Sequence, residues 1–278
     1  MTKLTERDLK FLSTLGDYEL MSTSQIVTHI FKGIDKKTVL RRLRKLEKEK
    51  LIKRTYGLQT NELVWSLAHY GAFKIHREGF PEHINRNSLE HDITLTEVRL
   101  TLEGAGIATS WRTEQSLRRL LPKDKGRFTN ELCPDAIFAI KTATGYQGVG
   151  LELELSGKNS ARYAKVFDAY GVRKNYFALW YVVESEALGR KLQREWTKCN
   201  PKVLRPKFGW MLLNELLKSP DEAKIFSDSA ITKMSSIINR PQTLSPALSQ
   251  STVGEAAHPS AERVGNRYQE TPSQISNS

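Results

Sequence analysis

Two neighbouring stretches decide the fold: Pro134-Asp135-Ala136-Ile137-Phe138-Ala139-Ile140 and, past a turn at Gly145, Gly148-Val149-Gly150-Leu151-Glu152-Leu153-Glu154-Leu155-Ser156. The first is an apolar run of the length and kind that suits a buried strand. The second alternates strictly. A period of two puts Val149, Leu151, Leu153 and Leu155 on one face and Glu152 with Glu154 on the other. Around this pair the pattern continues in both directions. Upstream, Asn87-Ser88 is a cap for a helix from Leu89 to Glu103, ended by Gly104-Ala105-Gly106, and Ile107 to Trp111 reads as a strand. Downstream come a helix from Ser160 to Gly171, a very apolar strand from Tyr176 to Val183, a helix from Glu184 to Lys198 and a late strand from Phe208 to Leu213. Helix, three strands, helix, strand makes a mixed α/β core.

The three acids are the chemical feature of this core. Asp135 opens one strand, and Glu152 and Glu154 line one face of the next. In adjacent strands joined by a hairpin, these carboxylates can converge. Like charges brought together raise each other's pKa unless a cation lies between them. A hard divalent cation such as Mg2+ takes such oxygens. An ion held there can activate water and stabilise charge on a phosphodiester. Lys158, just past the strand, can steer the water or offset the charge. The plain alternative is a solvent-facing strand, which shows the same alternation.

The N-terminal quarter carries a different signal. Thr5 caps a helix with Leu9, Phe11, Leu12 and Leu15 that stops near Gly16. Ser22 to Phe31 forms a second helix, broken by Gly33. Asp35 caps a third, through about Lys50, with Val39, Leu40, Leu43 and Leu46 on one face. Leu51-Ile52 open a strand pair that turns near Tyr56-Gly57 and returns over Leu63 to Leu67. Three helices and a hairpin is the order of a winged helix-turn-helix, whose third helix enters the major groove. Here that helix carries Lys36, Lys37, Arg41, Arg42, Arg44 and Lys45. Cations near a helix N-terminus oppose the macrodipole, and phosphate partners offset that cost. A solvated basic face is the alternative. His69 to Glu78 reads as one more helix, and Gly79, Pro81 and Asn85 to Ser88 as a linker.

Composition agrees with a polyanionic partner. The 278 residues hold 43 Lys and Arg against 31 Asp and Glu, a formal charge of +12. Residues 1–54 hold fourteen of the bases and seven of the acids. Nucleic acid comes before membrane as the partner. No apolar run is long enough for a spanning helix, and the N-terminus has no secretory h-region, so the cytoplasm is the expected location. Two cysteines, Cys133 and Cys199, make neither a disulfide framework nor a four-ligand zinc site. P-loop, GxSxG and HExxH motifs are absent, as is an HxH cluster with an N-terminal tyrosine. From Ser235 to Ser278 the chain turns to Ser, Pro, Gln, Asn and Thr, and a disordered tail is expected. The domains expected are thus 1–80, 88–218 and the tail.

Pro134-Asp135 followed by Glu152-Leu153-Glu154, on this order of elements, resembles the PD-(D/E)xK restriction-endonuclease-like superfamily. Its third motif residue is usually Lys; Glu154 stands here, an ExE variant with precedent, so the general base stays open and Lys158 is the nearby candidate. A basic N-terminal domain, a helix bearing His91, Asp92 and Glu97, then Pro134-Asp135-Ala136 and the stretch from Glu152 to Tyr170 is similar to the replication-relaxation family, which includes the MOBC class of plasmid mobilisation relaxases. The resemblance covers roughly residues 5–215. It implies a nicking endonuclease at a plasmid transfer origin, with Asp135, Glu152 and Glu154 as the acids that bind Mg2+ or Mn2+ and Glu97 as an extra acid from the first helix. It also implies duplex DNA as partner, with an accessory mobilisation or coupling protein. Tyr163 and Tyr170, two helical turns apart, read as packing residues near the site, a covalent nucleophile being the other role. A DNA-binding regulator with a degenerate nuclease fold is the rival function, and a basic protein that uses its tail to bind a partner protein is a third.

Overall fold

The computed structural model describes residues 4–56, 62–77, 84–120, 133–171, 177–199 and 206–238, all within one compact unit. Helix α1 (Glu6–Tyr18) begins in a capping box: the Thr5 hydroxyl accepts from the Asp8 N–H at 3.3 Å, and the Asp8 carboxylate accepts from the Thr5 N–H at 2.7 Å. It runs two residues past Gly16 and buries Phe11, Leu12 and Leu15, while Leu9 faces outward. Strand β1 (Leu20–Ser22) follows. The next segment is not one regular helix. A short α2 (Thr23–Gln25), capped by Ser22, passes into a π-helical turn over Ile26–Ile30. Gly33, at φ +77°, makes the reversal that a side chain resists, and Asp35 caps α3 (Lys36–Lys48) by accepting from the N–H groups of Lys37 and Thr38. Val39, Leu43 and Leu46 are buried, as their spacing predicts. Strands β2 (Ile52–Thr55) and β3 (Val64–Leu67) complete a sheet of order β1-β3-β2, antiparallel throughout. The expected turn at Gly57 lies outside the described residues. Helix α4 (His69–Lys74) is shorter than expected, and Glu78, Gly79 and Pro81 also lie outside the described residues.

A 3-10 turn over Arg86–Ser88 leads into α5 (Leu89–Gly104). Ser88 holds the N-cap position, but its hydroxyl donates to Asp92 at 2.9 Å instead of accepting from the helix backbone. Helix α5 is shared between two cores: Val98 and Leu102 enter that of the large sheet, and Leu100 packs with Phe11, Leu15 and Trp65 of the N-terminal part. Polar contacts follow the same seam. Gln25 Nε2 donates to the Ile93 carbonyl at 2.9 Å, Thr96 Oγ1 to the Leu20 carbonyl at 3.2 Å, and Arg99 Nη1 to the Asp17 carbonyl at 2.6 Å.

The remaining elements are β4 (Thr109–Thr113), α6 (Glu114–Leu120), β5 (Ala136–Thr142), β6 (Gly145–Glu154), α7 (Ser160–Gly171), β7 (Ala178–Val183), α8 (Glu186–Lys198), β8 (Lys207–Leu212), α9 (Leu213–Lys218), β9 (Lys224–Phe226), β10 (Ile231–Lys233) and α10 (Met234–Ile237). The mixed α/β class expected from the pattern is therefore the class found. Seven strands form one sheet of order β10-β9-β8-β7-β6-β5-β4, in which β6–β7 and β7–β8 are parallel and the other pairs antiparallel. One face buries Phe138, Leu151, Leu153, Trp180 and Val182 together with α5, α9 and α10. The other buries an aromatic cluster under α7 and α8, including Tyr163, Phe167, Tyr170, Tyr181 and Trp196.

Two edges differ from expectation. The early strand is shifted to Thr109–Thr113, because Ile107 and Ala108 are buried in the turn that follows α5. At the far end, β9, β10 and α10 extend the fold beyond residue 218, since Ala223, Ile225 and Met234 complete the core and Ile237 and Ile238 pack against it. Residues 235–238, expected in the tail, are thus ordered, and the tail from residue 239 lies outside the described residues. Among the described residues no helix is long and apolar enough to cross a membrane.

Candidate functional site

The acids meet because of strand register. Ala136 pairs with Leu151 across the antiparallel β5–β6 ladder, so one step further Asp135 stands beside Glu152. Glu154 follows two residues on, on the same face. Parallel pairing with β7 sets Tyr181 next to Glu152 and Val183 next to Glu154. This is the face covered by α7.

Each carboxylate has its own partners. Asp135 Oδ2 accepts from the Leu153 N–H at 2.8 Å and lies 3.2 Å from His91 Nε2. His91 reaches it from the first turn of α5, and its Nδ1 lies 3.2 Å from Asp92 Oδ1. Both imidazole nitrogens therefore face carboxylate oxygens. Burial opposes the charge on His91, but hydrogen bonds to Asp135 and Asp92, with their negative charges, push it up to about 10. Glu152 Oε1 accepts from the Tyr170 hydroxyl. Burial, and next the charge of Asp135, push the Glu152 carboxyl well above the usual carboxylate range. Glu154 Oε2 accepts from Lys158 Nζ at 2.7 Å. Burial still raises the Glu154 carboxyl, against the opposing pull of Lys158.

Lys158 is delivered by a braced loop. Its N–H donates to the Tyr163 hydroxyl at 2.8 Å, and its carbonyl accepts from Lys191 Nζ at 2.7 Å. Tyr163 and Tyr170 are both buried, and both hydroxyls serve the site: one holds the Lys158 backbone, the other Glu152. Burial leads in raising the Tyr163 and Tyr181 phenols, and the latter feels the charge of Glu152 next.

The structure does not bring Glu97 to this set. Glu97 comes six residues after His91 on α5, a rotation that turns it away, and it pairs instead with His29 at 3.2 Å. Three carboxylates offer the hard oxygens that Mg2+ prefers. As they stand, however, no three His, Cys, Asp or Glu side chains among the described residues form a group that could hold a metal ion. The Lys158 ammonium and the Tyr170 hydroxyl occupy oxygens that such an ion would need.

A cleft of about 580 Å3 opens beside Asp135, lined also by His91, Asp92, Arg99, Trp111 and Arg118. A separate groove of about 690 Å3 lies along α1 and α3, with Arg7, Arg41, Arg42 and Lys45 on its walls. On α3 the side chains of Lys36, Lys37, Arg41, Arg44 and Lys45 are exposed. Arg42 differs. Its Nε donates to Asp8 Oδ1 at 2.7 Å and its Nη2 to Asp8 Oδ2, and Asp8 is only 3% exposed. Five of the six basic side chains are thus exposed, while the sixth, Arg42, braces α1 against α3.

The sequence places His91 and Asp92 on the first helix of the large domain but assigns neither of them a role at the site. The adjacent His-Asp pair in a first helical turn was the available signal. What it lacked was the partner, 44 residues further along the chain.

A family model for replication-relaxation proteins matches residues 12–172. The chain belongs to the replication-relaxation family. The replication-relaxation match runs from within α1 to just past α7, so it includes α3, the His91-Asp92 pair, all three acids and Lys158. Membership of this family suggests a role in plasmid replication or mobilisation and interaction with DNA. No curated protein and no solved structure matches the chain.

Proposed function

We propose that this replication-relaxation protein is a plasmid mobilisation relaxase that reads duplex DNA at the transfer origin and nicks one strand. The N-terminal part acts as a winged helix-turn-helix, with α3 in the major groove and Lys36, Lys37, Arg41, Arg44 and Lys45 on phosphates and base edges. The large sheet acts as a PD-(D/E)xK nuclease core. The observation that carries this reading is the register that sets Asp135 beside Glu152, with Glu154 on the same face, in a helix–strand–helix–strand–strand–helix–strand order in which α6 stands between β4 and β5.

Asp135 and Glu152 would hold Mg2+ or Mn2+, and Glu154 would join them on releasing Lys158. A bound ion of this kind polarises a phosphate oxygen and makes water a better nucleophile. The chain's own residues do the rest. The Leu153 N–H and His91 fix Asp135. Lys158 brings a positive charge to the end of the acidic strand, where the superfamily carries its motif lysine two residues after the second acid. Tyr170 holds Glu152 in place. Recruitment of an accessory mobilisation or coupling protein would follow nicking.

The test is nicking of supercoiled plasmid carrying the origin, with Mg2+, with Mn2+ and with chelator. Wild type is expected to convert it to open circle only with metal, and Asp135→Ala and Glu152→Ala to leave it intact. If both variants nick at the wild-type rate, the assignment of the acids is wrong. A second reading is a DNA-binding regulator of plasmid replication or transfer without nuclease activity. It is favoured by the Glu154–Lys158 ion pair and by the lack, among the described residues, of a ready three-ligand group. It expects tight, salt-sensitive binding and no metal-dependent strand break.

A further inference from the structure

We propose that the groove between α1 and α3 seats one strand of the DNA backbone, with Arg7, Arg41 and Lys45 on its phosphates. The inference rests on the DNA-binding part of the reading above, not on the nuclease part, and it adds α1 to the contact surface. Thr38, Arg41 and Lys45 recur every three or four residues along α3, so they share one stripe of the helix. Arg7 stands across from them in the first turn of α1, and all four line the same groove of about 690 Å3. Arg7, Arg41 and Lys45 are exposed, and among the described residues none of their side chains has an ion pair or hydrogen bond. The acids of the groove leave this charge in excess. Asp8 is engaged by Arg42, and Glu6 alone faces three cations.

The lining between these cations is apolar: Phe31 and Val39 are buried, and Ile34 is partly exposed. A sugar–phosphate strand matches such a lining, with its charges on the bases and its deoxyribose rings on the apolar side chains. A cation in the first turn of a helix opposes the macrodipole, and a phosphate at Arg7 offsets that cost. The Asp8–Arg42 pair ties α1 to α3 within the same groove, so it holds Arg7 in a set position relative to Arg41 and Lys45. The remaining cations of α3 follow a neighbouring stripe, Lys37, Arg41, Arg44 and Lys48, all of them exposed and all but Arg41 outside the groove. Helix α3 is thereby divided. The stripe beside α1 holds backbone, and the outward stripe is left for base edges. Phosphate contacts fix the register of a protein on its duplex, while base contacts carry the sequence.

The experiment is titration of the full chain, over a series of NaCl concentrations, into two labelled duplexes of equal length, one of arbitrary sequence and one from the transfer origin. Fluorescence anisotropy reads the binding. The proteins are wild type, Arg7→Ala, Arg7→Lys, Lys45→Ala, Arg44→Ala and the control Lys224→Ala, which removes an exposed cation of β9 in the large sheet. Circular dichroism confirms that each is folded. Every phosphate contact adds about 0.9 to the slope of log affinity against log salt. Arg7→Ala and Lys45→Ala are each expected to lower that slope by about 1 and to weaken both duplexes by the same factor. Arg7→Lys is expected to keep the wild-type slope, because an ammonium still holds a phosphate, and Lys224→Ala to bind as wild type. Unaltered slopes and affinities in Arg7→Ala and Lys45→Ala, with Arg44→Ala weakened, would overturn the seat while leaving α3 as the reader; the groove would then suit another anion, such as an acidic protein segment. An equal loss in Lys224→Ala would mean a diffuse effect of net charge and would also overturn it, as would a loss in Arg7→Ala confined to the origin duplex. If wild type binds neither duplex, the DNA-binding reading falls and takes this seat with it.

Discussion

Asp8→Asn tests whether Arg42 braces the fold or meets DNA. Asp8 is 3% exposed and accepts from the Thr5 N–H, from the Thr5 hydroxyl and from two nitrogens of Arg42. Asparagine keeps the shape and one oxygen for the capping box but removes the charge, leaving Arg42 beside an amide. Removing one partner of a buried ion pair costs about 3–5 kcal/mol. The Arg42 side chain keeps 27% exposure, so water recovers part of that, and a loss of about 2–3 kcal/mol is expected. In a unit of this size each kcal/mol moves Tm by about 2–4 °C, so Asp8→Asn is expected to melt about 5–10 °C below wild type. The pH dependence has a definite sign. Burial pushes the Asp8 carboxyl up, but hydrogen bonds from Arg42 and Thr5 bring it below its ordinary 3.8. Its contribution is therefore complete above that value and is lost as pH falls through the lower, folded one. The gap between wild type and Asp8→Asn should be flat from neutral pH down to about pH 5 and close in stronger acid. Thermal melts of both proteins across this range are the assay. DNA titrations complete it: Arg41→Ala or Arg44→Ala should lose about 1–3 kcal/mol of binding if either reads a base edge, without loss of Tm. Equal melting of Asp8→Asn and wild type at neutral pH would refute the bracing role.

Three other outcomes follow from the same structure. Glu152 has a raised pKa, so its folded state holds a proton more tightly than the unfolded chain, and stability falls as pH rises from the ordinary value of 4.5 toward the folded one. Glu152→Gln is therefore expected to be more stable than wild type toward urea at pH 8, with the difference closing near pH 4; equal midpoints at pH 8 would show that the charge is already relieved. At Gly71 a Cβ would lie 1.9 Å from the Leu51 carbonyl oxygen, backbone against backbone. Gly71→Ala should exceed the usual overpacking cost of about 1–3 kcal/mol, read as a large fall in Tm or loss of soluble protein; a wild-type melt would contradict the close approach of α4 to Leu51, just before β2. Tyr170→Phe removes the hydroxyl at Glu152. If cleavage is hydrolytic, this variant still nicks, and wild type leaves no detergent-stable DNA–protein adduct on a denaturing gel. An adduct lost on this substitution would make Tyr170 the nucleophile.

Some features of the fold were legible because they depend on near neighbours. Thr5 and Asp35 cap helices through bonds two or three residues away, and both do so here. The alternation from Val149 to Glu154 assigned β6 and the shared face of Glu152 and Glu154, because side chains on a strand repeat every two residues. Helix α7 has the expected bounds, Ser160 to Gly171. Other features carried no local signal. Strands β9 and β10 are three residues each, too short for a period to show. The π-helical turn at Ile26–Ile30 has the apolar residues of an ordinary helix.

For the site, the residue types and their order along the chain were enough to nominate Asp135, Glu152, Glu154 and Lys158, and the basic face of α3. Which partner each charge would find was not contained in that order. Arg42 looks the same as Arg41 and Arg44 in the sequence, yet packing of α1 on α3 pairs it with an acid 34 residues earlier. Glu97 and His91 share a helix, yet its rotation sends one to His29 and the other to Asp135. Local hydrogen bonds and periodicity are set by adjacent residues, so the chain alone determines them. The fate of a charge depends on what the rest of the fold leaves within about 4 Å of it, and only the tertiary structure decides that.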